Sequence, residues 1–224
     1  MPRIKIAGWP RWAVSLVPLG ATTVAYIVAY LACRFGLDTP IVPERIPYDF
    51  ALLAGLSYLL FAVSRRLWAY LALLFLLVAA LYVGSAFKIA YLGRPIMPDD
   101  VYSIAALFRI LGAWGWLVVA APLTLIFGLF LFNLRLQGKL RKVALSALIV
   151  IPTGATVESL PLYQAMDKFW GNTPWDQREN FLWRGGTVNI LQESLRSFAL
   201  RQDPPESDEV AAALARRLDA AGAK

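Results

Sequence analysis

The chain contains no histidine. That removes the commonest metal ligand and the side chain that most often serves as a general base near neutral pH. Cys33 is the only cysteine, so no intrachain disulfide can form. It falls inside an apolar segment and is expected to pack there as a small residue. The sequence has no H-E-x-x-H, no Cys/His metal cluster, no P-loop and no G-x-S-x-G. Thr153, Thr156 and Thr187 have no histidine to activate them. Catalytic residues are therefore expected to be none, and the chain is not expected to be a self-sufficient enzyme. Charge is scarce as well. Of 224 residues, 17% are charged and 58% hydrophobic, which leaves too little charge to cover the surface of a soluble domain.

What the sequence does have is long apolar runs. About 18 or more apolar residues suffice to cross a bilayer, and a helix satisfies its own backbone hydrogen bonds there. The expected fold class is an all-α integral membrane protein with five transmembrane helices, an interfacial helix and an extracytoplasmic helical linker. The spans are placed at 12–35, 46–64, 67–87, 113–132 and 143–157, and together form a domain over 1–157. Pro152 and Glu158 leave the outer end of the fifth span open. The basic start, "MPRIKIAGWPRW", resembles the first part of a signal peptide. The apolar run behind it reaches Phe35 and has no A-x-A cleavage pattern after it, so it reads as a retained first span.

Loop charges set the orientation. With a cytoplasmic N-terminus, the inner side carries Arg3, Lys5, Arg11, Arg65, Arg66, Arg135, Lys139, Arg141 and Lys142. The outer loops carry Arg34, Arg45, Lys88, Arg94 and Arg109, and every acid before residue 158: Asp38, Glu44, Asp49, Asp99 and Asp100. Nine basic residues against five is a positive-inside bias. The expected location is the plasma (inner) membrane, multi-pass, with the C-terminus extracytoplasmic. The net charge of +7 is thus mainly topological. Membrane lipids are the expected partners, and nucleic acid is not.

The loop after the third span reads "KIAYLGRPIMPDDVYSIAALFRIL" from Lys88 to Leu111. Pro95 and Pro98 stiffen it, and Asp99 or Asp100 is placed to cap a helix over about 99–111. Ile104, Leu107, Phe108 and Leu111 share one face of that helix, which is too short to span. Two readings stay open. In one, the prolines bend the chain, an aspartate caps, and Arg94 pairs with an acid. In the other, Lys88 and Arg94 grip the phosphate of a lipid headgroup while Asp99 and Asp100 bind its hydroxyls. Asp49, at the mouth of the second span, is either interfacial or functional.

Residues 158–224 read as an extracytoplasmic amphipathic segment and linker. Trp170, Trp175 and Trp183 are expected as interfacial anchors, with a carbohydrate platform as the alternative. Arg184, before Gly185-Gly186, is either a second phosphate contact or a solvated residue of an interfacial turn. Beyond it, Val188, Leu191, Leu195 and Phe198 recur at helical spacing.

Five spans from an inner N-terminus, the polar "YLGRPIMPDD" loop after the third, and an outer "NFLWRGG" segment leading to a helical linker resemble the membrane module of lipoteichoic acid synthase-like proteins. These include phosphoglycerol transferases that modify periplasmic glucans. The resemblance implies a sulfatase-like domain of the alkaline phosphatase superfamily outside the membrane, using a divalent metal, usually manganese, and a threonine nucleophile. Such a domain moves phosphoglycerol, or a related group, from a phospholipid to an envelope glycan acceptor. No residue of that domain lies in this sequence, so neither catalytic nor metal-binding residues carry over to it. The implied role is a membrane-anchoring and lipid-donor-orienting module of a phospholipid-headgroup transferase, with catalysis in a linked or separate domain. The alternative is a non-catalytic scaffolding subunit of an envelope polysaccharide synthesis or export complex.

Overall fold

The computed structural model describes residues 10–103, 121–134 and 159–202, together with the single positions 109, 112, 114 and 146. Regular structure among the described residues is helical, apart from one isolated antiparallel bridge between Ser64 and Leu134. Helix α1 (Arg11–Leu31) runs on into a π-helical turn, Ala32–Gly36. A 3-10 turn, Pro43–Arg45, leads into α2 (Ile46–Val63). Helix α3 (Leu67–Val78), a second π-helical turn (Ala79–Gly84) and α4 (Ser85–Leu92) follow without a break. Then come α5 (Ala121–Asn133), α6 (Ser159–Trp170), α7 (Gln177–Arg184) and α8 (Gly186–Gln202).

Three helical stretches are long and apolar enough to cross a membrane: Trp12–Gly36, Pro43–Val63 and Leu67–Leu92. They match the first three expected spans, except that the second begins three residues earlier, in the 3-10 turn at Pro43, and the third runs longer. The third continues to Leu92 instead of stopping before Lys88. A lysine ends a span only if its charge has nowhere to go. Here Lys88 Nζ donates to Pro95 O at 2.9 Å and pairs with Asp100, so the helix runs on. It stops at Gly93, which takes a left-handed conformation (φ 72°) and donates its N–H to Ile89 O. The expected fourth span, 113–132, is described from Ala121 to Asn133 as a shorter apolar helix. The fifth span (143–157) and the linker from 203 lie outside the described residues, as does most of the helix expected over 99–111. Residues 100–103 of that helix are helical.

The three long stretches pack through a common core. Ala25, Tyr26, Ala29 and Cys33 of the first meet Leu53 of α2 and Tyr70, Leu74, Val78 and Tyr82 of the third. Alanine at 25 and 29 lets the backbones approach closely. The outer face of α1 presents Val24, Ile27, Val28 and Leu31. The buried side instead holds hydroxyls: Ser57 Oγ lies 2.6 Å from Tyr70 Oη, and Thr22 Oγ1 donates to Pro18 O at 2.7 Å. Apolar outside and hydrogen-bonded polar inside is the arrangement that hydrocarbon surroundings favour.

The two ends of this bundle are built differently. At one end Asn133 clamps the turn between α2 and α3. Its Oδ1 accepts the N–H of Arg65 and of Arg66 at 3.0 and 2.8 Å, and its Nδ2 donates to Ser64 Oγ at 2.9 Å. At the other end α6, α7 and α8 form a small helical cap. Helix α6 packs along α8, and α8 lies against α2 and the second π-helical turn. Val42 donates its N–H to Leu182 O at 2.8 Å, tying α7 to the segment before α2.

Candidate functional site

Asp49 sits in the first turn of α2 and is fully buried. Its Oδ1 accepts the backbone N–H of Thr187 at 2.9 Å and of Val188 at 3.0 Å. Its Oδ2 accepts the hydroxyls of Tyr26 at 3.0 Å and Tyr82 at 2.7 Å. Tyr82 gives its one proton to Asp49, so the Thr187 hydroxyl, 2.7 Å away, donates to Tyr82. Thr187 and Val188 occupy the first turn of α8, where backbone N–H groups have no partner within the helix. An N-cap side chain would normally accept them. The residue before α8 is Gly185, which has none, and Asp49 of another helix does so instead.

The Gly185-Gly186 pair makes this approach possible. Gly185 adopts φ 82°, ψ 173°, a region open almost only to glycine. A Cβ added there would lie 2.1 Å from Asp49 Oδ2. A Cβ at Gly186 would meet Leu81 O at 3.0 Å and the Tyr82 ring at 3.1 Å. The π-helical turn Ala79–Gly84 re-aims Tyr82 so that its hydroxyl reaches the carboxylate. The Tyr82 ring also lies edge-on to Tyr26, with centroids 5.3 Å apart.

The 93–103 loop folds back on α4. Asp100 is its hub. Oδ2 pairs with Lys88 Nζ at 2.5 Å and accepts the Met97 N–H at 2.7 Å, and Oδ1 lies 3.6 Å from Arg94. Ile96 donates its N–H to Ser85 Oγ at 3.3 Å, and its side chain rests where Gly84 leaves room. Asp99 points the other way and accepts the hydroxyl of Ser197, on α8, at 3.1 Å. Lys88 and Asp100 are largely covered, whereas the Arg94 side chain is 53% exposed.

Arg184 is placed differently from both sequence readings. Its side chain is 0% exposed and is held entirely by the cap. It donates through Nε and Nη2 to Gly171 O, through Nη2 to Asn172 Oδ1 at 2.9 Å, and through Nη1 to Glu193 at 3.2 Å. Burial lowers its pKa from the ordinary arginine value, and Glu193 opposes that shift by favouring the charged form. The nearby Asn180 accepts the Thr173 N–H and donates to Thr173 O, and Asp176 caps α7 through the Glu179 N–H. Arg184 is thus the organising residue of the α6–α7 turn.

The three tryptophans diverge. Trp175 is 87% exposed at the tip of the turn. Trp183 is partly exposed and stacks under the Arg45 guanidinium at 4.9 Å. Trp170 packs edge-on to Phe169, whose ring also meets Tyr48. Among the described residues no three His, Cys, Asp or Glu side chains gather as metal ligands.

The structure therefore brings Lys88, Arg94, Asp99 and Asp100 together at the bundle end that carries the cap. Asp49 forms a separate clamp, and Arg184 a third centre inside the cap. Tyr26, Tyr82 and Thr187 were not singled out from sequence as partners of Asp49. The available signal was a membrane-depth acid together with a Gly-Gly pair opening a helix. The chain matches no family model, no curated protein and no solved structure.

Proposed function

We propose that this chain is a membrane module that anchors and orients a phospholipid-headgroup transferase of the cell envelope. The observation that carries the reading is the Asp49 clamp, which ties the helical cap to the long apolar helices through two backbone hydrogen bonds, from Thr187 and Val188, while Tyr26 and Tyr82 hold the carboxylate from within the bundle. Helix α8 is tied to the bundle end at its first turn by Asp49 and further along by Asp99.

The cap is assigned to the extracytoplasmic face, because the opposite end bears Arg65 and Arg66. The Lys88/Arg94 loop then lies at the outer leaflet, beside the cap, where a donor phospholipid presents its phosphate. The resemblance to lipoteichoic acid synthase-like proteins supplies the class of reaction: transfer of phosphoglycerol or a related group to a glycan acceptor by a linked or separate domain that holds the metal.

The test is transfer of labelled headgroup from phospholipid to glycan by the assembled enzyme. Arg94→Ala is expected to lower transfer about tenfold at unchanged expression, the loss of one charge-assisted phosphate contact. Unchanged transfer removes the donor-site reading. The exposed Trp175 favours a scaffolding role as the second reading. A stable co-purifying partner without any phosphatase-like domain would select it.

A further inference from the structure

We infer that Lys88 and Arg94 form a phosphate-anion site whose resident occupant is the chain's own Asp100, and that an incoming phosphate displaces this carboxylate and frees the loop from α8 at Ser197. The inference rests on the membrane-module reading for the depth of the site.

Asp100 holds the position an anion would take. One carboxylate bridges Lys88 Nζ, the Met97 N–H and the Arg94 guanidinium. These are an ammonium, a backbone donor and a guanidinium converging on one carboxylate. A phosphate group uses the same donor types, with more acceptor oxygens. The Arg94 leg is the weak one. At 3.6 Å it is longer than a hydrogen bond, and more than half the side chain faces outward. The guanidinium fork is thus open to a ligand while Asp100 still holds Lys88. Lys88 has three donor protons and gives one to Pro95 O and one to Asp100.

The surroundings favour a lipid-borne phosphate. Phe87, Tyr91, Leu92, Val101 and Tyr102 are all exposed around the loop. Lys88 lies in the last turns of a membrane-length helix, at the depth of headgroups.

Displacement has a mechanical consequence, because Asp99 and Asp100 are neighbours in the chain. Asp100 faces the cations, and Asp99 faces Ser197 on α8. Moving Asp100 off Lys88 draws the peptide between them, and the Asp99–Ser197 hydrogen bond breaks. The first turn of α8 stays fixed by Asp49 and its length by packing on α6, so what changes is the tie between the loop and Ser197. Asp100 acts as an internal competitor: it keeps the loop closed until a stronger anion arrives.

The experiment uses the full chain in detergent and native mass spectrometry. Short-chain phosphatidylglycerol, short-chain phosphatidylcholine and inorganic phosphate are titrated separately. Asp100→Asn is expected to bind phosphatidylglycerol at least fivefold more tightly than the unaltered chain, and Arg94→Ala at least fivefold more weakly. A second measurement keeps the loop intact: in Cys33→Ala/Asp99→Cys/Ser197→Cys, phosphatidylglycerol should slow disulfide formation at least fivefold. An equal effect of inorganic phosphate would assign the site to free anion, and an effect of phosphatidylglycerol alone to a lipid. Unchanged or weaker binding in a folded Asp100→Asn chain, or a cross-linking rate indifferent to every phosphate, overturns the inference. Anion binding would uphold it even if Arg94→Ala left headgroup transfer untouched, so it fails separately from the proposed function.

Discussion

The carboxylate of Asp49 accepts the backbone N–H of Thr187 at 2.9 Å across 138 residues of chain. That one bond joins the second membrane-length helix to the first turn of α8. It answers two needs at once: a buried acid receives donors, and an uncapped helix receives an acceptor. The positive end of the α8 dipole adds to the attraction. Polar groups at membrane depth are costly unless fully partnered, and here the cost is offset by tyrosine hydroxyls and backbone amides together.

Gly185 is the tightest point of the joint. Gly185→Ala puts a methyl group into Asp49 and into a backbone region that L-residues avoid. The expected cost is about 3 kcal/mol. Thermal unfolding in detergent should show a lower midpoint for this variant. Gly171→Ala is the contrast, because its φ of 77° is strained but no atom lies within 4 Å of the added methyl. A smaller drop is expected there.

Within the cap, Glu193→Gln leaves Arg184 buried without its counter-charge. Breaking a buried pair from one side costs about 3 kcal/mol. The expected sign is rapid limited proteolysis near Gly171 and Asn172, whose oxygens Arg184 holds. Digestion at the rate of the unaltered chain would show that the pair does not support the turn.

At the opposite end, Asn133→Ala removes a side-chain acceptor shared by two backbone N–H groups and the donor to Ser64. The expected loss is about 2 kcal/mol. Hydrogen exchange should speed up at Arg66, while Arg65, whose N–H also donates to the Asn133 backbone carbonyl at 2.8 Å, and Thr187 and Val188 stay protected.

Orientation is checked with cysteine labelling, for which the buried Cys33 gives a low background. Trp175→Cys should react with a membrane-impermeant maleimide in intact cells. Arg65→Cys should react only after the membrane is opened. The reverse pattern would invert the assignment of the cap.

The sequence made the first three spans legible, because length and apolarity alone decide them. It misplaced the end of the third, since the charge of Lys88 is met by Asp100, twelve residues on, through a fold-back that hydropathy does not encode. Asp49 stood out as an acid at the mouth of a span. Its partners did not, because Tyr26 and Tyr82 reach it through helix rotation and a π-helical turn, and Thr187 through a cap assembled from the distant end of the chain. Arg184 shows the same limit. Nothing local distinguishes a solvated arginine from one enclosed by Gly171, Asn172 and Glu193. The face read on α8 was also incomplete: Val188 and Leu195 are buried, but so are Asn189, Gln192 and Glu193, while Leu191 and Phe198 stay exposed. The polar side of that helix is enclosed by α6 and α7.

The central claim is that Asp49 fixes the cap to the membrane helices. Hydrogen exchange at the amides of Thr187 and Val188 tests it most directly, comparing the unaltered chain with Asp49→Ala. The account predicts slow exchange in the unaltered chain and at least tenfold faster exchange in the variant, with Arg65 and Arg66 unaffected. Equal protection of both amides in the two chains would contradict it.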